Sequence, residues 1–270
     1  MGCEGNSLSD FPFAEWFNLA VRWTHVFAGI LWVGQTYFFT WLDGRFAEGE
    51  SVWMVHSGGF YVVDRRKVPE IVPGRLQWFR WEAAATWASG MVLLVSMYYV
   101  GGALADESRT SLSSGAAVLV GLGLLAAAWV AYDLAAQSAL ARSGVRFAAL
   151  ALAATAGVAF GLARVFSSRA AYIHVGAMFG TVMAANVWLR ILPAQRRMVE
   201  ALRAGRRPDE RLSASAKLRS KHNTFMAVPV VFIMISNHFP VATYGHTYNW
   251  LILSALVAAG WGAARLVRRA

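Results

Sequence analysis

The chain has 270 residues, 57 % of them hydrophobic and only 15 % charged, with a mean hydropathy of +0.43. A water-soluble domain carries roughly a quarter charged residues, so the composition excludes an ordinary soluble enzyme and indicates a membrane protein. The lone cysteine, Cys3, excludes a disulfide framework and any Cys-based zinc or iron–sulfur site.

The opening "MGCEGNSLSD" is acidic and polar, without the basic stretch of a cleaved signal peptide. Asn6 stands where a myristoylation pattern after Gly2 needs Ser or Thr. About 20 mostly apolar residues span a bilayer, and seven segments fit that ruler: 17–42, 79–100, 115–134, 145–164, 170–191, 222–240 and 248–267. The sixth holds Pro229, which predicts a kink. Between the first two lies "VWMVHSGGFYVV" (52–63), too short to span and expected at the interface or re-entering the bundle. Its Gly58–Gly59 pair permits a tight turn there. After the fifth span comes a basic segment, expected to be helical around 194–204 and placed to touch anionic membrane lipids or an acidic partner. The fold expected is all-α: a single membrane helix bundle over 1–270 with about seven transmembrane helices.

Charge fixes its orientation. Span-end arginines counted with the adjoining loop, the segments after spans one, three and five and the C-terminus carry 21 of the 25 Lys and Arg. Cytoplasmic loops hold the basic excess, so the N-terminus is expected outside and the C-terminus inside. The net charge of +10 is then topological, and no nucleic acid is implied.

That orientation gives each histidine a depth. His25 lies ~12 Å below the outer boundary at 1.5 Å per residue, His174 about one turn below it, and His238 close to it, with His246 in the loop beyond. His56 and His222 fall at the inner face. Imidazoles from facing helices hold haem b by an axial nitrogen on each side of the iron. His25 and His174 are the candidate iron ligands, with His238 in the same outer group. The inner pair would hold a second haem. Arg22, one turn outward of His25, would meet the propionates, and Trp32, two turns inward on the same face, would pack on the cofactor. Glycines after His25 and His174 leave room for a flat group. The alternative is that each histidine is a hydrogen-bonded packing residue.

A second polar set lies in the inner half: Arg80 and Glu82 opening span two, Asn186 late in span five and Asn223 opening span six. An intramembrane carboxylate is a functional candidate by default. With Arg190 nearby, these residues could bind a small anionic or polar heterocycle or handle protons; the alternative is an interfacial salt bridge between Glu82 and a neighbouring arginine.

The stretches "RWTHVFAGILWVGQTYFF", "VHSGGFY", "WFRWEAAATWASG", "IHVGAMFGTVMAANVWLRILPAQRRMV" and "SKHNTFMAVPVVFIMISNHFP" resemble, in content and order, the urate oxidase N-terminal domain family, the membrane domain of bacterial urate hydroxylases. The likeness covers roughly residues 16–245. It implies an oxidoreductase of the bacterial inner membrane that passes electrons from urate towards a cytochrome c. It also carries His25, His56, His174, His222 and His238 over as functional positions. Family members typically continue into an eighth span and a C-terminal cytochrome c domain. This sequence stops after the seventh span without a C-x-x-C-H motif. The resemblance therefore implies a separate cytochrome c as acceptor, or a role as membrane subunit of another redox complex. Three readings stand: an enzyme acting on urate, a non-catalytic electron-transfer anchor with a soluble or quinone donor, and a transporter of a small polar solute. Against the last stands the lack of an internal repeat.

Overall fold

A computed structural model describes residues 12–46, 51–66, 69, 73–106 and 110–268; Gly2, Cys3 and Asn6 lie outside the described residues. It is an all-α bundle with one short β-hairpin. In chain order come α1 (Phe13–Arg45), β1 (Ser51–His56), β2 (Gly59–Asp64), α2 (Trp81–Leu94), α3 (Ser114–Gln137), α4 (Gly144–Val165), α5 (Ser168–Ala185), α6 (Leu192–Arg203), α7 (Glu210–Ile235) and α8 (Asn249–Val267). Two π-helical turns interrupt this regularity. Val95–Val100 prolongs α2, and Asn186–Ile191 joins α5 to α6 in one unbroken helix.

Five helical runs are long and apolar enough to cross a bilayer: Trp81–Val100, Ser114–Gln137, Gly144–Val165, Ser168–Arg203 and Asn249–Val267. α1 and α7 have the length, at 33 and 26 residues. In α1, His25, Gln35 and a series of threonines dilute the apolar run, and the first turns of α7 are charged. Serine at the N-cap starts three of the crossing helices. Ser113, Ser143 and Ser167 accept from the backbone N–H of Ala116, Arg146 and Ala170, satisfying donors that a helix start leaves free.

Side-chain ties give the packing directions. In α1 against α2, Arg22 meets Met97 while Phe39 meets Phe79 at a centroid distance of 5.0 Å, so the pair is antiparallel. α3 and α5 run parallel, because His174 faces Gly121 and Asn186 bonds Tyr132. α7 runs against both α5 and α8. One end of the bundle thus gathers Arg22, Tyr99, His174 and Asn237; the other gathers Glu82, Asp133, Arg190, Arg219 and His222. α5 is the central helix: 56 % of the most apolar window in its run is buried, against 17 % for α3 and for α4. Its Tyr172, Val175, Phe179 and Val182 lie in the main core.

The segment 52–63 is a β-hairpin. Its β-branched and aromatic residues form a hairpin in which His56 pairs with Gly59 and Val55 with Phe60. Ser57 and Gly58 make the turn with φ of 50° and 76°, the double positive φ of a type I′ hairpin turn. α7 continues through Pro229 rather than ending there. The Pro229 ring is received by Gly260 of α8, where a Cβ would lie 3.1 Å from its ring carbons and 3.2 Å from its nitrogen.

At the Asp133 end, a charged clamp joins three helices. Arg219 of α7, 1 % exposed, reaches Asp133 of α3 at 2.8 Å, and Arg190 of the π turn holds both carboxylate oxygens of the same residue. Arg219 also donates to the Asp133 and Asn186 carbonyl oxygens at 3.3 and 3.2 Å. Removing one partner of a buried pair leaves the other charge without compensation, at about 3–5 kcal/mol. Asp133→Ala is therefore expected to lower the melting temperature of the detergent-solubilised protein by on the order of 10 °C. Arg65→Ala, which breaks the exposed 3.1 Å pair with Asp43, should stay within about 1 kcal/mol of wild type. Gly260→Val should cost about 1–3 kcal/mol by overpacking against Pro229. Gly262→Val, where a Cβ meets nothing within 4 Å, should leave the melting temperature unmoved.

Candidate functional site

Hydrogen bonding to backbone carbonyls assigns the ring proton of two of the three helical histidines. His25 Nδ1 lies 2.9 Å from the Thr86 carbonyl oxygen and 3.2 Å from the Ser89 hydroxyl. A carbonyl can only accept, so Nδ1 carries the proton and Nε2 keeps its lone pair with no partner among the described residues. The ring lies against Gly90, where a Cβ would come 2.9 Å from Cε1. His174, wholly buried, also donates from Nδ1, to Ala170 at 2.8 Å. Its Nε2 is taken by the Tyr99 hydroxyl at 3.1 Å, and Phe166 and Tyr98 close the ring in. In His222, Nδ1 lies 2.9 Å from the Tyr132 hydroxyl, which also accepts from Asn186 at 3.0 Å.

A metal-bound imidazole donates through one nitrogen to a fixed acceptor and offers the other to the metal. His25 meets that description. His174 meets half of it, its second nitrogen being occupied by Tyr99, and the Nδ1 of His222 is taken by Tyr132 with no carbonyl acceptor to fix the ring. His25 and His174 are not brought together either. Along α2 and its π extension, His25 is level with Gly90 and His174 with Tyr99, ~13 Å apart at 1.5 Å per residue. Axial nitrogens on one iron stand about 4 Å apart, from metal–nitrogen bonds near 2 Å. The residues present thus fit haem b with His25 as one axial ligand and do not fit His25 and His174 sharing an iron.

The other expected positions scatter. His238 lies exposed in the turn Ser236–His238. His56 is exposed beside the hairpin turn, and no contact joins it to His222, which stacks on Phe147 at 4.7 Å. Arg22 bonds Asn18 and the Met97 sulfur near the His174 end. Trp32 packs on Ala83, Val187 and Leu192, beside the Glu82 group rather than against His25. Among the described residues no group of three or more His, Cys, Asp and Glu could hold a metal ion.

The four inner polar residues divide into two groups of opposite character. Asn186 and Asn223 belong to a hydrogen-bonded network: Asn186 donates to Asn223 at 2.9 Å, and Asn223 donates to the Met183 carbonyl at 3.0 Å. Both are tied to the Asp133 clamp and act as structure. Arg80 and Glu82 are unsaturated. Gln35 of α1 donates to one Glu82 oxygen at 3.0 Å, while Glu82 Oε2, Arg80 Nε and Trp188 Nε1 are buried with no hydrogen-bond partner. The Arg80 guanidinium stands 5.1 Å from the Trp81 ring and 6.0 Å from that of Trp188, and the two rings meet edge to face at 5.7 Å. A salt bridge does not account for Glu82.

Each unsatisfied buried polar group costs ~1–3 kcal/mol, and natural structures hold few of them. Two donors and one acceptor without partners thus lie together beside the Trp81 and Trp188 rings, while Arg219 Nε and Trp261 Nε1 are unpartnered at separate places in the bundle. Gln35 and Trp188 were not expected from sequence. Asp133, a carboxylate inside an apolar span, carried the same signal as Glu82. Arg219 could not be told from the other cations of its basic segment.

No curated protein matches this chain, and no solved structure does. The urate oxidase N-terminal family matches residues 12–268, nearly the whole chain, and takes in both the His25 position and the Arg80–Glu82–Trp188 site. The chain therefore belongs to the urate oxidase N-terminal family.

Proposed function

We propose that the protein is a membrane oxidoreductase of the bacterial inner membrane that oxidises urate, or a closely related flat anion, at the Arg80–Glu82–Trp188 site and passes the electrons towards a cytochrome c. The observation that carries this reading is the trio of buried, unpartnered polar atoms. An electron-transfer anchor has no use for such a trio, whereas a substrate site does.

Each residue then has a task. Arg80 supplies positive charge and an N–H donor to the anion, and Trp188 adds a second N–H donor. Trp81 and Trp188 offer aromatic surface to a planar ring. Glu82 Oε2 accepts a ring N–H and can take its proton as the substrate is oxidised, while Gln35 fixes the carboxylate by holding the other oxygen. His25 Nε2 would hold haem b, which would supply one-electron transfer; His174 would not share that role. Tyr99 and Ala170 hold that ring in place as part of the packing.

Two measurements test the reading. A dithionite-minus-oxidised spectrum of the purified protein should show a b-type α-band that His25→Ala abolishes and His174→Ala retains. A featureless spectrum from protein made with haem supplied would sink the cofactor assignment. In urate-dependent reduction of cytochrome c, Glu82→Gln should lower kcat by ~10²-fold, the scale of a lost acid–base group, with the spectrum unchanged. Trp188→Phe should mainly raise KM. Turnover untouched by either substitution would remove the substrate site from this position.

A further inference from the structure

Next to the Arg80–Glu82–Trp188 site, the chain entering α2 and the outer face of α6 enclose an open hollow of about 640 Å³. Its walls include Arg75, Gln77, Trp78, Val199 and Arg203. Arg203 pins the two sides together by donating to the Gly74 carbonyl at 3.2 Å. Its rim thus bears two arginines, and among the described residues none that lines it is acidic. A third arginine, Arg80, follows two residues after Trp78 on the way into the bundle.

Trp78 connects the two spaces. It lines the hollow and packs on the same Ala83–Val187–Leu192 patch that carries Trp188. A single indole therefore belongs both to the floor of a cationic surface hollow and to the surroundings of three buried unpartnered polar atoms. The size suits a bicyclic heterocycle, and pockets of a few hundred Å³ are the usual scale for small ligands. Clefts lined by one sign of charge raise the local concentration of the opposite ion and hasten its arrival.

We propose that this hollow is the portal through which a small planar anion reaches the Arg80–Glu82–Trp188 site, with Arg75 and Arg203 gathering the anion and Trp78 dividing portal from site. The proposal rests on the substrate reading above and adds the route and the rim that selects by charge. The same arginines could instead seat the phosphate of an anionic lipid, so the test separates the two sources.

The test uses the full chain with Cys3→Ser and Gln77→Cys, reconstituted in phosphatidylcholine nanodiscs. The rate of thiol modification is followed with two methanethiosulfonates of similar size, the anionic sulfonatoethyl and the cationic trimethylammonioethyl reagents. The anionic reagent should react faster by on the order of tenfold, and urate should slow it. Arg75→Gln and Arg203→Gln should each remove most of that preference. Arg75→Gln is the cleaner of the two, because Arg203 also holds the chain at Gly74.

Equal rates for the two reagents, or no slowing by urate, would overturn the portal even where urate still reduces cytochrome c. Slowing by phosphatidylglycerol in the nanodisc but not by urate would overturn it in favour of a lipid-headgroup seat. Charge preference and slowing by urate, in a protein that does not oxidise urate, would uphold the portal and sink the oxidoreductase reading instead.

Discussion

The bundle is organised around one buried charge pair. Arg219 is almost wholly enclosed, and in a low-dielectric interior an unpaired guanidinium is not tolerated. Its partner Asp133 is on α3, its second acceptor Asn186 on the continuation of α5, and the helper Arg190 one turn further along. α3, the long central helix and α7 are thereby fixed in register. Once Asn186 is placed, Asn223, Tyr132 and His222 follow through successive hydrogen bonds.

The π turn Asn186–Ile191 links this clamp to its neighbour. It carries Asn186 and Arg190 into the clamp network and Trp188 beside Arg80 and Glu82, whose buried atoms lack partners. π turns inside α-helices recur at functional sites. The second one, Val95–Val100, likewise brings Tyr98 and Tyr99 against His174. Donors and acceptors held without partners must be fixed by their surroundings, and the clamp on the same turn supplies that rigidity.

The histidines show how a residue type can suggest a role that its hydrogen bonds then narrow. His25, His174 and His222 look equivalent as intramembrane imidazoles. In the fold one has a free lone pair, one is enclosed on both nitrogens and one is bound to a tyrosine hydroxyl and stacked on Phe147. Membership of the urate oxidase N-terminal family is common to all three positions and does not distinguish them; the acceptors around each ring do.

The sequence by itself determined the helical class, most of the element boundaries and the gathering of polar residues at two ends of the bundle. Those follow from apolar length, from basic asymmetry and from the 1.5 Å rise that converts position into depth. Family motifs, being local strings, were legible in the same way. Tertiary structure alone decided the rest. The 52–63 segment reads as generally apolar, but a hairpin forms because cross-strand pairing and a turn with positive φ override hydropathy. Glu82 and Asp133 are alike in sequence, yet only one has an arginine within reach. His25 and His174 had been assigned similar depths, but they meet α2 and its π extension at levels nine residues apart. In each case the deciding quantity is which partner another helix supplies, a property of register between segments that no single segment encodes.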